Sequence, residues 1–289
     1  MLRAHLHTRR LAIVLVCAAP AALLAQTERI TIRLAPKPDQ IVHYRTSTDM
    51  DMEMTGLNAP DGVPAPPAMH MDMKMGMAST QVINHPDDHG RFDSQFTLDE
   101  MTMDMTMNGQ KMPMPNTAAN PLVGRTMGAT YDAHGAVVNM TLPPELQAMS
   151  EAVKQMLEAM YKTVPASATI GIGETTTIPY VVALPVPGRP LGMTGQVRMH
   201  LIAIDQDGPD RVARFEQTLD MTIDTPAPAD PDSPNAAPAP TFKMSGGGTL
   251  EWNLDRGFVK ASDMQTTVEG QMLGAHMQGT MRATMAGTY

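Results

Sequence analysis

Methionine recurs at every second position in three segments of the sequence, and this alternation constrains the fold more than any other feature. Met50, Met52 and Met54 alternate with acidic residues, and the same spacing recurs at residues 69–77 and 101–107. Successive side chains of a β-strand point to opposite faces of the sheet, whereas a helix repeats every 3.6 residues. The pattern therefore predicts half-buried antiparallel strands with sulfur on one face and polar groups on the other.

The predicted strands are long, and they are separated by turn sequences. Residues 91–107 would extend over about 55 Å at roughly 3.3 Å per residue. A strand of this length twists and coils strongly, which favours curved sheets or half-barrels over flat layers. Asp and Gly occur together at residues 87–90, 132–135, 205–208 and 255–257, and this composition is typical of tight reversals between antiparallel strands.

Two sequence matches at nearly the same offset predict an internal duplication. The segment around Phe92 resembles the one around Phe215, 123 residues later, and the turn at Gly135 resembles the one at Gly257, 122 residues later. We therefore expect a mainly β protein of two related antiparallel curved sheets or half-barrels. Their predicted ranges are residues 26–142 and residues 166–289, the second with a proline-rich surface loop at residues 225–240.

The segment between the two predicted repeats has the spacing of a helix. In residues 143–165, two prolines stand at the start, and apolar residues then follow at helical intervals until Pro165. Because its acidic and basic residues balance, the segment lacks the cationic face of a membrane-surface helix. We expect an amphipathic helix that covers an exposed sheet face.

Residues 1–25 have the features of an export signal. Arg3, Arg9 and Arg10 precede an uncharged run from Leu11 to Ala25 that is shorter than the roughly 20 residues needed to span a bilayer. We therefore expect cleavage, export to the periplasm or the extracellular space, and no integral membrane span. Cleavage also removes Cys17, the one cysteine of the sequence, which excludes cysteine nucleophiles, zinc–thiolate sites and disulfides from the mature chain.

Charge and motif content exclude several functional classes. The formal net charge is −9 and the basic residues form no cluster, so nucleic acid is not an expected partner. The sequence contains no nucleophile elbow, no His-Glu-x-x-His motif and no phosphate-binding glycine loop. We therefore predict a binding protein rather than an enzyme, with no catalytic residue and no cofactor.

The methionine face is the predicted binding surface. Adaptable thioether side chains suit an apolar small molecule, a lipid or an envelope partner of variable shape. An ordinary sheet core in which methionine replaces leucine and valine is the competing interpretation of the same pattern. The residues predicted to line the ligand are Met50, Met52, Met54, Met101, Met103, Met105 and Met107.

A copper site is the alternative prediction from the same residues. Thioethers select Cu(I) and need no deprotonation, and the densest methionine segment also contains a histidine. The ligands predicted on this hypothesis are Met69, His70, Met71, Met73, Met75 and Met77.

Several short sequence patterns resemble those of a family of uncharacterised exported bacterial β-rich proteins. They are an opening strand at residues 30–34, a Tyr-centred strand at residues 42–46, strands that alternate Met and Thr, and Gly124-Arg125-Thr126 before the turn at residues 132–135. The resemblance covers nearly all of the chain after residue 25. It implies an exported β-rich protein and no particular activity.

Overall fold

The strands of the protein are long, as the alternation predicts. In a computed structural model of the chain, the described residues are 28–32, 37, 39–56, 67–112, 123–133, 137–144, 168–186, 189–224, 241–272 and 275–289. They form fourteen β-strands: β1 Arg29–Ile32, β2 Gln40–Thr55, β3 Met69–Ile83, β4 Phe92–Met107, β5 Gln110–Lys111, β6 Thr126–Tyr131, β7 Val137–Thr141, β8 Ala168–Gly171, β9 Thr175–Val186, β10 Arg189–Asp207, β11 Asp210–Asp224, β12 Thr241–Asn253, β13 Phe258–Met272 and β14 Ala275–Thr288.

Twelve of these strands form one open antiparallel sheet. Their order is β7-β6-β4-β3-β2-β14-β13-β12-β11-β10-β9, and β5 pairs with β4 beside this path. The prediction of a mainly β, antiparallel protein is confirmed, but the prediction of two sheets or half-barrels is wrong. Strands from both predicted repeats join edge to edge where β14 pairs with β2 over thirteen residue pairs. This pairing satisfies the backbone groups that two separate sheets would leave exposed at those edges. The duplication itself stays a prediction.

A small second sheet covers one part of the large one. β1 and β8 pair antiparallel, and their Ile30, Ile32 and Ile170 belong to one buried cluster. The cluster also contains Leu201 of β10 and Phe215 of β11, which are fully buried. The main hydrophobic core therefore lies between the small sheet and the strands from the second half of the chain.

Three β-bulges lie along one line across the large sheet. Asp99, Lys260 and Ile202 are the residues without a partner in the ladders β3–β4, β12–β13 and β10–β11. All three adjoin a single row of paired residues: Glu100, Ala78, Arg45, Ala286, Ala261, Glu251, Arg214 and Ala203. A bulge bends its strand and increases the local twist. Each strand that crosses this row has one end on the side of the row where Val42, Ile83 and Phe92 lie, and we call that end of the sheet the basal end. We call the opposite end the distal end.

The predicted turns are confirmed where the structure describes them. Gly90, Gly208 and Gly257 have φ of 74°, 57° and 68°, a region that favours glycine. Asp87 Oδ1 accepts hydrogen bonds of 2.8 Å from the backbone nitrogens of His89 and Arg91, as an Asp at the start of a turn does. The predicted signal segment 1–25 and the loop 225–240 lie outside the described residues. So does the predicted helix 143–165, apart from Pro143 and Pro144.

Candidate functional site

Fifteen methionines of four adjacent strands share one face of the large sheet. Cross-strand registers place three from β14 beside three from β2, five from β3 and four from β4. We call this set the methionine panel: Met277, Met281, Met285, Met50, Met52, Met54, Met69, Met71, Met73, Met75, Met77, Met101, Met103, Met105 and Met107. All seven residues predicted to line a ligand belong to it.

Methionines within the panel stand in rows across the strands. Met281 pairs with Met50, Met50 with Met73, and Met73 with Met105, so one row crosses four strands without interruption. Directly opposed residues of antiparallel strands have Cβ atoms about 4.5–5.5 Å apart, within reach of two thioether side chains. Each row therefore brings several sulfur atoms into one neighbourhood.

The panel is the less covered part of the apolar face. Met52 is 5% exposed, and the other fourteen panel methionines are half-buried. On the same face, Met199 of β10 and Met221 of β11 are 5% and 4% exposed, and the core cluster under the small sheet includes Met199. The described part of that cluster contains no panel residue. The panel thus leaves apolar surface available on a face that is otherwise packed.

His70 does not lie with the methionines predicted to bind copper beside it. It is exposed on the opposite face of β3, because strand neighbours point to opposite sides. Its Nε2 lies 3.4 Å from Oδ1 of Asp72 and 3.7 Å from Oδ2 of Asp51. The structure therefore brings Met69, Met71, Met73, Met75 and Met77 together and separates His70 from them.

The opposite face of these strands is polar and acidic. Asp49, Asp51 and Asp104 are exposed there. The hydrogen bond from Lys111 and its positive charge lower the pKa of Asp104 below its ordinary value. The two faces of β2, β3 and β4 therefore differ sharply, with thioethers on one side and solvated charges on the other.

A cavity of about 240 Å³ adjoins the basal edge of the panel. The bulge at Asp99 shapes it, because the bulge places Leu98, Phe96 and Ser94 on the same face as the odd-numbered panel methionines of β4. Met77 and Met285 belong to the panel and also line the cavity. The remaining lining residues are Tyr44, Thr46, Ser79, Gln81, Ser94, Phe96, Leu98, Met127, Gly128, Ala129, Tyr131 and Met140.

Several residues of β2, β3 and β4 that line the cavity carry hydroxyl or amide groups. Gln81 Nε2 donates a hydrogen bond of 2.8 Å to Oγ of Ser94, which is 3% exposed. Ser79, which is 7% exposed, lies on the same face of β3 as Gln81. Burial raises the pKa of the Tyr44 phenol, and the neighbouring Tyr131 raises it further, so Tyr44 remains protonated.

Comparison with known proteins adds no relationship. The chain matches no family model, and no curated protein matches it either. The resemblance to exported bacterial β-rich proteins therefore stays a prediction. Within the described ranges, no helix is both long and apolar enough to cross a membrane.

The sequence reasoning missed the cavity because its residues come from six strands. Tyr44, Ser79 and Ser94 are far apart in the chain and meet only through the registers of β2, β3 and β4. One signal was present in β4, where the apolar positions change from even numbers at Phe96 and Leu98 to odd numbers from Met101 onward. Such a change of parity indicates a bulge.

Proposed function

We propose that this is an exported protein that binds an apolar ligand, or an apolar surface of an envelope partner, through the methionine panel. The observation that supports the proposal is the position of fifteen methionines on one face of four adjacent strands, nearly all of them half-buried. A contiguous apolar face of this kind is typical of a binding surface. The cavity at its basal edge extends the same apolar surface inward.

The free energy still to be gained on the panel is sufficient for specific binding. Complete burial of one methionine contributes about 1.5–3 kcal/mol, and a half-buried side chain has roughly half of that left to gain. A ligand that covers about ten of them gains on the order of 10 kcal/mol before ordering costs are subtracted. Micromolar affinity corresponds to about 8 kcal/mol.

Methionine also suits a ligand of variable shape. Its unbranched side chain has three rotatable bonds and a polarisable sulfur, so the same panel adapts to different apolar chains. A sheet face of valine and isoleucine would be stiffer, because β-branched residues are restricted at χ1. The composition of the panel therefore supports an apolar ligand class rather than one fixed compound.

The proposal is tested with delipidated protein, a polarity-sensitive fluorescent probe with an uncharged alkyl chain, and matched double variants. Met73→Gln with Met105→Gln places two amides on cross-strand neighbours of the panel. Lys74→Gln with Asp104→Asn changes the adjacent cross-strand pair on the opposite face. We expect the methionine variant to lower the affinity about tenfold or more, because two buried amides lose water without gaining partners, and the control to bind like the original chain.

Two outcomes would overturn the proposal. One is that the delipidated protein takes up neither the probe nor any component of a total lipid extract. The other is that both double variants change the affinity equally, since a binding site on the panel requires the two faces to differ.

A copper function is the second candidate, and the row Met281, Met50, Met73 and Met105 is the observation that favours it. Neighbouring thioethers in one row are suitable ligands for Cu(I). His70 is excluded from this set by its position on the opposite face. The proposed ligands are therefore sulfur atoms alone.

Replacement of methionine by leucine separates the two candidates. Leucine keeps the panel apolar and removes the sulfur, so Met73→Leu with Met105→Leu should preserve binding of the alkyl probe. Titration of Cu(I) against a chromophoric competitor at acidic pH measures the metal, because thioethers need no deprotonation. Submicromolar copper binding that this variant loses would favour the copper function, whereas absence of such binding would eliminate it.

Export is part of the proposal and has its own test. Expression of the full chain in a Gram-negative host, followed by cell fractionation and mass determination, shows whether residues 1–25 are removed. We expect a product that begins near residue 26 outside the cytoplasm. A full-length product in the cytoplasm would contradict the proposed location.

A further inference from the structure

The cavity and the panel form one continuous surface with two chemical zones. The row Met285, Thr46, Met77 and Met101 is the basal edge of the panel, and the first three of these residues also line the cavity. Distal to this row the face consists mainly of thioethers. Basal to it the lining is mixed, because the hydroxyl and amide groups of Tyr44, Ser79, Gln81 and Ser94 stand among apolar residues such as Phe96, Leu98 and Met140. An occupant of both zones would therefore be amphipathic.

None of the fourteen residues that line the cavity is charged. A charged group that entered would lose its hydration without meeting an opposite charge among these residues, which is strongly unfavourable. An uncharged hydroxyl, ester or amide would instead find hydrogen-bond partners. The lining thus discriminates by charge.

Hydrogen-bonding capacity remains open in the cavity. The Ser79 side chain is more than nine-tenths buried, lines the cavity, and makes no side-chain hydrogen bond to another described residue. Ser94 accepts a hydrogen bond from Gln81, so its own hydroxyl proton is still available to a ligand. Both hydroxyls can therefore form hydrogen bonds with a polar group that enters the cavity.

The volume of the cavity limits what that partner is. At about 240 Å³ it is smaller than the roughly 300–1,000 Å³ of pockets that enclose a drug-sized ligand. That volume equals the share of liquid volume of about eight water molecules, at roughly 30 Å³ each. A small head group fits, and an attached chain must lie outside, over the panel.

We propose that this cavity binds the uncharged polar head group of a single-chain amphipathic lipid, whose hydrocarbon chain lies along the methionine panel. The inference rests on the proposed function, because it assigns the ligand class of the same site. Ser79 and Ser94 are the residues that contact the head group, and Tyr44 is a neutral hydrogen-bond donor at its side.

The length of the panel agrees with this orientation. From Met77 to Met69 along β3 is eight residues, or about 26 Å at roughly 3.3 Å per residue. One leaflet of a bilayer is about 15 Å of hydrocarbon, half of the roughly 30 Å core. A membrane-lipid chain anchored in the cavity therefore finds thioethers along its whole length.

The test compares three single-chain probes of nearly equal chain length that differ in the charge of the head group. They are monolauroylglycerol, which is uncharged, laurate, which is anionic, and dodecyltrimethylammonium, which is cationic. Each is titrated below its micelle concentration into the delipidated full chain at neutral pH, with displacement of the fluorescent alkyl probe as the readout. We expect the dissociation constant of monolauroylglycerol to be lower than that of either charged probe by a factor of about ten or more.

Serine variants then locate the head group. Ser79→Ala combined with Ser94→Ala should weaken monolauroylglycerol binding about threefold to tenfold or more, because each lost hydrogen bond to a neutral group has a modest net effect. Binding of the alkyl probe, which has no head group, should stay unchanged. Ser47→Ala is the matched control, since Ser47 is exposed on the opposite face of β2.

The possible failures are distinguishable. If the three probes bind equally, or the serine variant binds all of them like the original chain, the head-group site is wrong while the methionine panel stands as a binding surface. If none of the probes binds, the proposed function itself fails. If the serine variant melts at a lower temperature than the Ser47→Ala control, its binding data are set aside. The comparison of the three probes on the original chain then decides alone whether the head-group site exists.

Discussion

The hydroxyl of Tyr289 donates a hydrogen bond of 2.8 Å to Oδ2 of Asp210, at the first residue of β11. The same oxygen accepts hydrogen bonds from Nε of Arg256 at 2.6 Å and from Nδ2 of Asn253 at 3.1 Å. Asp210 is 3% exposed, and the Arg256 guanidinium lies 3.4 Å from the centre of the Tyr289 ring. One buried carboxylate thus joins the β10–β11 turn, the β12–β13 turn and the residue after β14.

Replacement of Asp210 should destabilise the sheet more than replacement of an exposed acid. Asp210→Asn removes the charge that Arg256 and its neighbours are arranged to meet, and we expect a loss of about 2–3 kcal/mol in the free energy of unfolding. Urea denaturation followed by circular dichroism measures it. Asp49→Asn, at an exposed position on β2, is the control, and equal midpoints for the two variants would contradict the prediction.

The same carboxylate predicts how stability depends on pH. Burial raises the pKa of Asp210, but hydrogen bonds from Arg256, Asn253 and Tyr289 together outweigh it, so the pKa lies below its ordinary value. A group whose pKa is lower in the folded state stabilises the fold above its unfolded pKa, about 3.9, and that contribution is lost as the pH falls through the folded pKa. We expect the difference in unfolding free energy between the original chain and Asp210→Asn to be constant above about pH 5 and to shrink below about pH 4. A constant difference at all pH values would show that Asp210 is not the titrating group.

A glycine on the panel face should be irreplaceable. A Cβ added to Gly279 of β14 would lie 2.2 Å from the carbonyl oxygen of Asp51 and 2.9 Å from the sulfur of Met52. Because one of these neighbours is backbone, β14 and β2 would have to separate, and we expect Gly279→Ala to cost about 3 kcal/mol or more. Gly128→Ala is the control, since its Cβ would meet Thr141 at an ordinary 3.5 Å. Similar urea midpoints for both variants would contradict the close approach of β14 to β2.

The sequence predicted the local structure of the sheet well because local structure depends on neighbouring residues. Alternation of methionine with polar residues specified strands and the shared face of Met69, Met71 and Met73, and Asp-Gly turns specified the reversals. The same alternation placed His70 opposite its neighbours. Nearness in sequence groups His70 with the methionines beside it, but the strand places it on the opposite face of β3.

Long-range pairing was beyond the sequence pattern. The ladder between β14 and β2 joins residues more than two hundred positions apart, such as Met281 and Met50, and no local signal specifies which two edges meet. The cavity also depends on the pairing of strands that are distant in the sequence. Tyr44, Ser79 and Ser94 share it only because β2, β3 and β4 pair in one particular register.

Oxidation of methionine tests directly whether the panel is accessible. Half-buried sulfurs should react with dilute hydrogen peroxide before the sulfurs of Met199 and Met221, which are 5% and 4% exposed. Peptide mass spectrometry over a time course should therefore find sulfoxide first at residues such as Met73 and Met105. Bound monolauroylglycerol should slow the reaction at the panel and leave the rate at Met199 unchanged, because the ligand covers only the panel. If Met73 and Met105 react as slowly as Met221 in the ligand-free protein, another part of the chain covers the panel, and the proposed binding surface is wrong.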